Sequence, residues 1–169
     1  RKIKQEEKVA IVVSARGKAT DELDDILTIA AKNGNYKPLL ESFKTYQKGG
    51  FDAVDFSIEF DKLDKLFEGV SLIGDYSVKI QDQILAQGEV LSAKLIVFLL
   101  NHRGIPAKLA DTRELIITDS NFGDAQPLDA ISKKNIIQIF NDNKEAVLVI
   151  TGFIGSNDKY ETTTLGRNG

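Results

Sequence analysis

Apolar residues run without alternation in two short stretches of this chain, residues 8–15 (KVAIVVSA) and 146–150 (AVLVI). Unbroken β-branched runs of this length are the pattern of strands covered on both faces, so each predicts a central parallel strand. The first breaks at Arg16-Gly17-Lys18-Ala19. Thr20 then offers an N-cap ahead of Asp21 and Glu22, and Leu23, Ile26, Leu27, Ala30 and Ala31 carry a helix to a stop at Gly34. Residues 35–60 have a weaker pattern and read as a helix and a peripheral loop. Residues 61–67 read as a short amphipathic helix ending at Gly69, with an apolar link to Gly74.

The strongest helix is predicted over residues 80–102, where Ile84, Leu85, Gly88, Leu91, Ser92, Leu95 and Leu99 recur at spacings of three and four and Gly104 follows. Residues 95–100 are apolar all round, which predicts deep burial. A brief strand at 107–110, capping-box spacing from Asp111 to Glu114, a strand or loop over 116–125 and a helix over 130–140 lead to the second buried run. Strands alternating with helices describe a parallel sheet with helices on both faces.

Composition narrows the class. At 169 residues the chain is long enough for one sizeable core, and 42 % hydrophobic with 28 % charged residues is an ordinary globular balance. Net charge is −3 and the 22 Lys and Arg are dispersed, which argues against nucleic acid as a partner. The longest unbroken apolar run, 95–100, is far short of the ~20 residues of a membrane span, so a cytoplasmic protein without a membrane partner is expected. Without cysteine there is no disulfide, thiolate nucleophile or Cys-ligated zinc. Methionine is absent even at position 1, which suggests an internal piece of a longer product.

Ligands in open α/β sheets bind beyond the carboxyl ends of the strands, and three places there could carry chemistry. Residues 14–20 (SARGKAT) form a polar loop feeding a helix N-terminus, an anion site or a plain strand-to-helix turn. Glu89 lies on a mostly apolar helix face with Leu85, Ser92, Ala93 and Ile96, where a carboxylate needs a partner, in a structural ion pair or a site. Residues 152–155 (GFIG) and 162–169 (TTTLGRNG) pair glycines with Arg167, whose fork suits a carboxylate or phosphate; a hairpin turn that merely needs glycine reads the same way. Gly17-Lys18 is not a phosphate-binding P-loop, since Val12 holds the earlier glycine position. The single histidine, His102, suits a helix end better than a catalytic triad or a metal site.

Four segments in order, VVSARGKATDEL, QILAQGEVLSAKL, GIPAKLADTRELIITDSNFGDA and TGFIGSNDKYETTTLGRNG, make the chain resemble the catalytic domain of aspartokinases, in the amino-acid kinase family. The resemblance spans nearly everything except residues 35–65. It implies a three-layer α/β/α sandwich with a mainly parallel sheet. The implied reaction passes the γ-phosphoryl group of ATP, with Mg²⁺, to the side-chain carboxylate of L-aspartate, in a homo-oligomer. By motif position it implies that Thr20, Glu89, Phe153 and Arg167 hold aspartate, Glu89 through the α-ammonium. Ser14 and Gly17 would lie beside the transferring phosphoryl group, with Ser14 and Arg167 as catalytic residues. Gly17, Gly166, Asn168 and Gly169 would face the nucleotide.

Two departures stand out. Family members begin with a strand ending Lys-Phe-Gly-Gly-Thr-Ser, and they continue past the last glycine into a nucleotide-binding half; residues 1–169 contain neither, so a partial catalytic domain is expected. Asn168 and the segment FEGVSLIGD look more like the bifunctional form that carries a homoserine dehydrogenase. The competing readings are a kinase of another acid, such as glutamate, and a non-catalytic module kept for oligomer contacts.

Overall fold

The computed structural model describes residues 9–166. Strands β1 (Ala10–Val13), β2 (Ala107–Ala110) and β3 (Val147–Thr151) form a parallel sheet in the order β1-β3-β2. Alternation along β3 sends its side chains to opposite faces. Val147 and Val149 pack with Ala93, Ile96 and Val97 of one long helix, and Leu148 and Ile150 with Ile136, Ile139 and Phe140 of another. These helices are α4 (Val78–His102) and α6 (Asp129–Asp142), so the sheet is the middle layer of an α/β/α sandwich. β4 (Ile154–Ser156) and β5 (Thr162–Thr164) add a separate antiparallel hairpin.

The largest apolar cluster lies on the far side of α4 from the sheet. There α1 (Ala19–Ala31), α2 (Lys37–Lys48) and α3 (Ser57–Ile73) close over Leu23, Leu27, Phe43, Leu63, Phe67, Ile84, Leu91 and Leu95. α4 is therefore shared, with Ile84, Leu91 and Leu95 toward the helices and Ala86, Val90 and Ala93 toward sheet and hairpin. That double duty makes it apolar all round. By length and composition alone α4 could also cross a bilayer, but half of its most apolar stretch is buried inside the molecule, as in a core helix.

Several expectations need correction. β1 is an edge of the sheet among the described residues, with Val12 68 % exposed, and the central strand is β3. Residues 96–100 are only half-buried, because α4 outruns the elements packed on it toward His102, which stacks on Phe98. The helix expected to end at Gly69 runs from Ser57 to Ile73, since Glu59, Leu63, Phe67 and Val70 keep one buried stripe; the stop is Gly74, at φ +76°, whose N–H bonds Val70 O. Thr20 is not the N-cap of α1. Lys18 holds that position without a side-chain bond, and Thr20 sits in the first turn. Asp111 does cap the short α5 (Thr112–Leu115), accepting from Arg113 N at 3.0 Å.

One buried polar pair joins β3 to the start of α5. Thr151 Oγ1 accepts from Thr112 N at 2.9 Å and lies 2.7 Å from Thr112 Oγ1, with Thr151 fully buried. Thr151→Val keeps the shape but strands both Thr112 groups, so a loss of about 2 kcal/mol is expected. Urea unfolding of the variant measures it; a loss below about 0.5 kcal/mol would show the pair to be replaceable.

Candidate functional site

A cavity of about 630 Å³ opens at the carboxyl ends of β1 and β3, the place where open α/β sheets bind ligands. Five elements supply its walls: the loop from β1 into α1 with the start of α1, the buried face of α4, the loop after α5 through Gly123, the turn from β3 into β4, and the end of β5. Of the residues singled out in the sequence, Ser14, Thr20, Glu89, Phe153 and Gly166 all line it. Gly17 does not; it makes the loop's turn at φ +63°, against Tyr46, where an added Cβ would meet the phenol oxygen at 2.8 Å. Arg167, Asn168 and Gly169 lie outside the described residues. A second cleft of similar size, between α1 and α2, has Ile26, Ile29, Leu39 and Phe43 in its wall, and none of the buried, unpartnered side-chain atoms found among the described residues belongs to its lining.

Glu89 is the most unusual group here. It is 3 % exposed, its Oε1 accepts from Ala15 N at 3.2 Å, and its Oε2 is buried with no hydrogen-bond partner. No cation pairs with it among the described residues. Burial pushes its pKa up to about 7, against the smaller opposing effect of the Ala15 N–H. The neighbouring Gly88 makes the arrangement possible: an added Cβ there would sit 2.9 Å from Ala15 Cβ, so only glycine lets the β1–α1 loop come close enough to reach Glu89.

Phe153 has φ +64°, a left-handed conformation costly for a side chain of this size. Three hydrogen bonds hold it there: Gly152 N to Val13 O, Ile154 N to Gly152 O, and Leu165 N to Phe153 O at 2.9 Å. Its carbonyl thus ties the β3–β4 turn to the end of β5. Gly166 has φ +73°, and an added Cβ would meet Asp124 Oδ1 at 2.5 Å, so the turn after the threonines needs glycine on both counts.

Sequence reasoning missed the other acids of the cavity, Asp21, Asp24 and Asp82. Asp24 accepts from Gln81 Nε2 at 2.6 Å, linking α1 to α4. Asp82 is 1 % exposed and accepts from Gly123 N at 2.9 Å, Thr164 N at 3.1 Å and Thr164 Oγ1 at 2.8 Å. Burial raises its pKa, and those three donors work against the rise. The available signal was its place two helical turns before Glu89, with Leu85 between. None of the described cavity residues is Lys or Arg, and among the described residues no group of three His, Cys, Asp or Glu could hold a metal ion.

Helices on both faces of a parallel sheet, with a partly polar cavity at the strand ends and the buried carboxylate of Glu89 in its wall, define an α/β/α domain with its cavity where open α/β sheets receive ligands. The chain belongs to the amino acid kinase family, whose model matches residues 1–169. Among curated relatives, the lysine-sensitive aspartokinase 3 of Escherichia coli is 30 % identical over 115 residues, covering 64 % of this chain and 26 % of that protein. A chloroplastic bifunctional aspartokinase/homoserine dehydrogenase of Arabidopsis thaliana is 26 % identical over 176 residues, covering 96 % and 19 %. Among solved structures, E. coli aspartokinase III in complex with lysine and aspartate superposes with a TM-score of 0.80 at 27 % identity, over 95 % of this chain and 37 % of that one. The chain thus spans between a fifth and two fifths of these proteins.

Proposed function

We propose that this chain is the amino-acid-binding part of an aspartate kinase, acting in the synthesis of lysine, threonine and methionine. The observation that carries the reading is Glu89. A buried carboxylate with one oxygen held by a backbone N–H and the other unpartnered is an acceptor shaped for an ammonium group. Phe153 and Thr20 line the same cavity, while Arg167 would take a substrate carboxylate through its fork.

ATP and Mg²⁺ fit the described residues only at one end. Ser14 lines the cavity and its hydroxyl suits the γ-phosphate, whereas the Asp21 carboxylate in the first turn of α1 would need magnesium to offset its charge there; Gly17, Gly166, Asn168 and Gly169 would lie beside the nucleotide. Magnesium would arrive on the phosphates and offset their charge. In the reaction a side-chain carboxylate oxygen bonds to the γ-phosphorus, the bond to the β–γ bridging oxygen breaks, and ADP leaves. Such a transfer asks the protein for positioning and charge stabilisation more than for covalent help.

The test is ATP-dependent acyl-phosphate formation, trapped as hydroxamate, by the full-length gene product with L-aspartate, L-glutamate and N-acetylglutamate. Turnover confined to L-aspartate is the expected result. Turnover of N-acetylglutamate, which has no ammonium for Glu89, would overturn the reading.

A further inference from the structure

Three elements that meet at the cavity converge on one side chain that the reaction does not itself require. Asp82, on α4, receives Gly123 N from the loop after β2 and α5, and both the backbone N–H and the hydroxyl of Thr164 at the end of β5. The connection is reinforced around it. Ala125 N bonds Thr164 O at 2.9 Å, Asn157 Nδ2 bonds Ser120 Oγ at 3.0 Å, and Lys79, one turn before Asp82, pairs with Glu161 just before β5, at the hairpin's turn. The hairpin is thus fastened to α4 at both ends, and Asp82 is the fastening nearest the cavity.

The chemistry of the Asp82–Thr164 contact has a consequence for what the cavity can recognise. A carboxylate only accepts, so the Thr164 hydroxyl gives its one hydrogen to Asp82 Oδ1. What Thr164 Oγ1 keeps is lone pairs, and Thr164 lines the same cavity as Glu89. We propose that Asp82 is a positioning residue that fixes Thr164 as a hydrogen-bond acceptor, so that Thr164 Oγ1 and the Glu89 carboxylate together seat an ammonium and select amino acids over their desamino analogues. The inference rests on the reading of Glu89 as an ammonium partner.

Asp82→Asn separates this role from a scaffolding one. Its amide oxygen can still accept Gly123 N and Thr164 N, but its Nδ2 now donates to Thr164 Oγ1, which turns the hydroxyl's hydrogen toward the cavity. In the hydroxamate assay on the full-length gene product, Asp82→Asn is expected to raise KM for L-aspartate by about tenfold with KM for ATP within about twofold. Thr164→Val should raise it similarly, and the double variant should be no worse than Thr164→Val alone, because both changes remove one interaction. KM values that rise in parallel, an Asp82→Asn enzyme that behaves as wild type, or two effects that multiply would overturn the proposal. If Asp82→Asn fails to fold, Thr164→Val carries the test, and an unchanged KM for L-aspartate there overturns it. If the wild-type protein turns over another amino acid instead, the aspartate reading falls and the same pair is scored on that acid; if it turns over no amino acid, both fall.

Discussion

Glu89→Gln is expected to raise KM for L-aspartate about 100-fold while leaving KM for ATP within about threefold. A buried charge-assisted hydrogen bond contributes about 3 kcal/mol, which is two decades in affinity, and only the ammonium partner is lost. Equal changes in both KM values would remove Glu89 from that role. The same carboxyl makes binding pH-dependent. With its pKa raised to about 7 in the free protein, it is largely protonated below neutrality, so KM for the amino acid should climb as pH falls from 8 to 6, with a proton released on binding. In Glu89→Gln that slope should vanish.

Stability should move the opposite way. A carboxyl whose folded pKa lies above its ordinary value holds a proton in the folded state that the unfolded chain has released, so stability falls as pH rises from about 4.5 to about 7. The cost, about 3 kcal/mol, is fully present above that window and absent below it. Glu89→Gln is therefore expected to melt higher than wild type at pH 8 and close to it at pH 4.5, with no substrate present. A lower melting temperature at pH 8 would contradict the buried-charge account.

Gly88→Ala is the second large effect, and it should separate activity from stability. Alanine improves helix propensity by about 1 kcal/mol, but its Cβ would sit 2.9 Å from Ala15 Cβ, closer than carbon atoms pack. Ala15 is held just past β1 and its N–H is the donor to Glu89, so the loop has to back away from α4. A displacement of this kind at a reacting site costs about 100-fold in kcat/KM, while the overpacking penalty of about 1–3 kcal/mol is partly offset by propensity. Gly69→Ala is the control. Gly69 is also inside a helix, but nothing lies within 4 Å of an added Cβ, so it should gain stability by up to about 1 kcal/mol with activity unchanged. Unchanged activity in Gly88→Ala would mean that the loop's approach is not needed.

The parts of the fold that could be read from the chain are those governed by local pattern. The apolar runs hold strands at Ala10–Val13 and Val147–Thr151, and the threes and fours of α4 are a helix, because a period of apolar positions is set by backbone geometry whatever packs on it. Glu89 was legible for a related reason: a carboxylate among Leu85, Ala93 and Ile96 contradicts its own helix face. The amino-acid kinase resemblance rested on motifs of the same local kind. What burial a run receives is not local. The β-branched run at 8–15 could not reveal that β1 lies at an edge among the described residues, with Val12 exposed, and Gly69 breaks nothing because the stripe from Glu59 to Val70 continues to find neighbours.

The site divides along the same line. Sequence by itself determined which residues are present with suitable chemistry: an acid on an apolar helix face, a polar loop entering a helix, glycines flanking a row of threonines. Only the tertiary structure decided which of them meet. Asp82 is unremarkable along the chain, and becomes a junction because the hairpin and the Gly123 loop, 82 and 41 residues away, bring their donors to it. Phe153 is an ordinary aromatic until three backbone hydrogen bonds hold it at φ +64°. Gly17 and Gly88 read alike as glycines, yet one makes a turn against Tyr46 and the other lets Ala15 reach Glu89. Hydrogen-bond partners and close approaches depend on distances between segments far apart in the chain, and packing alone sets those distances.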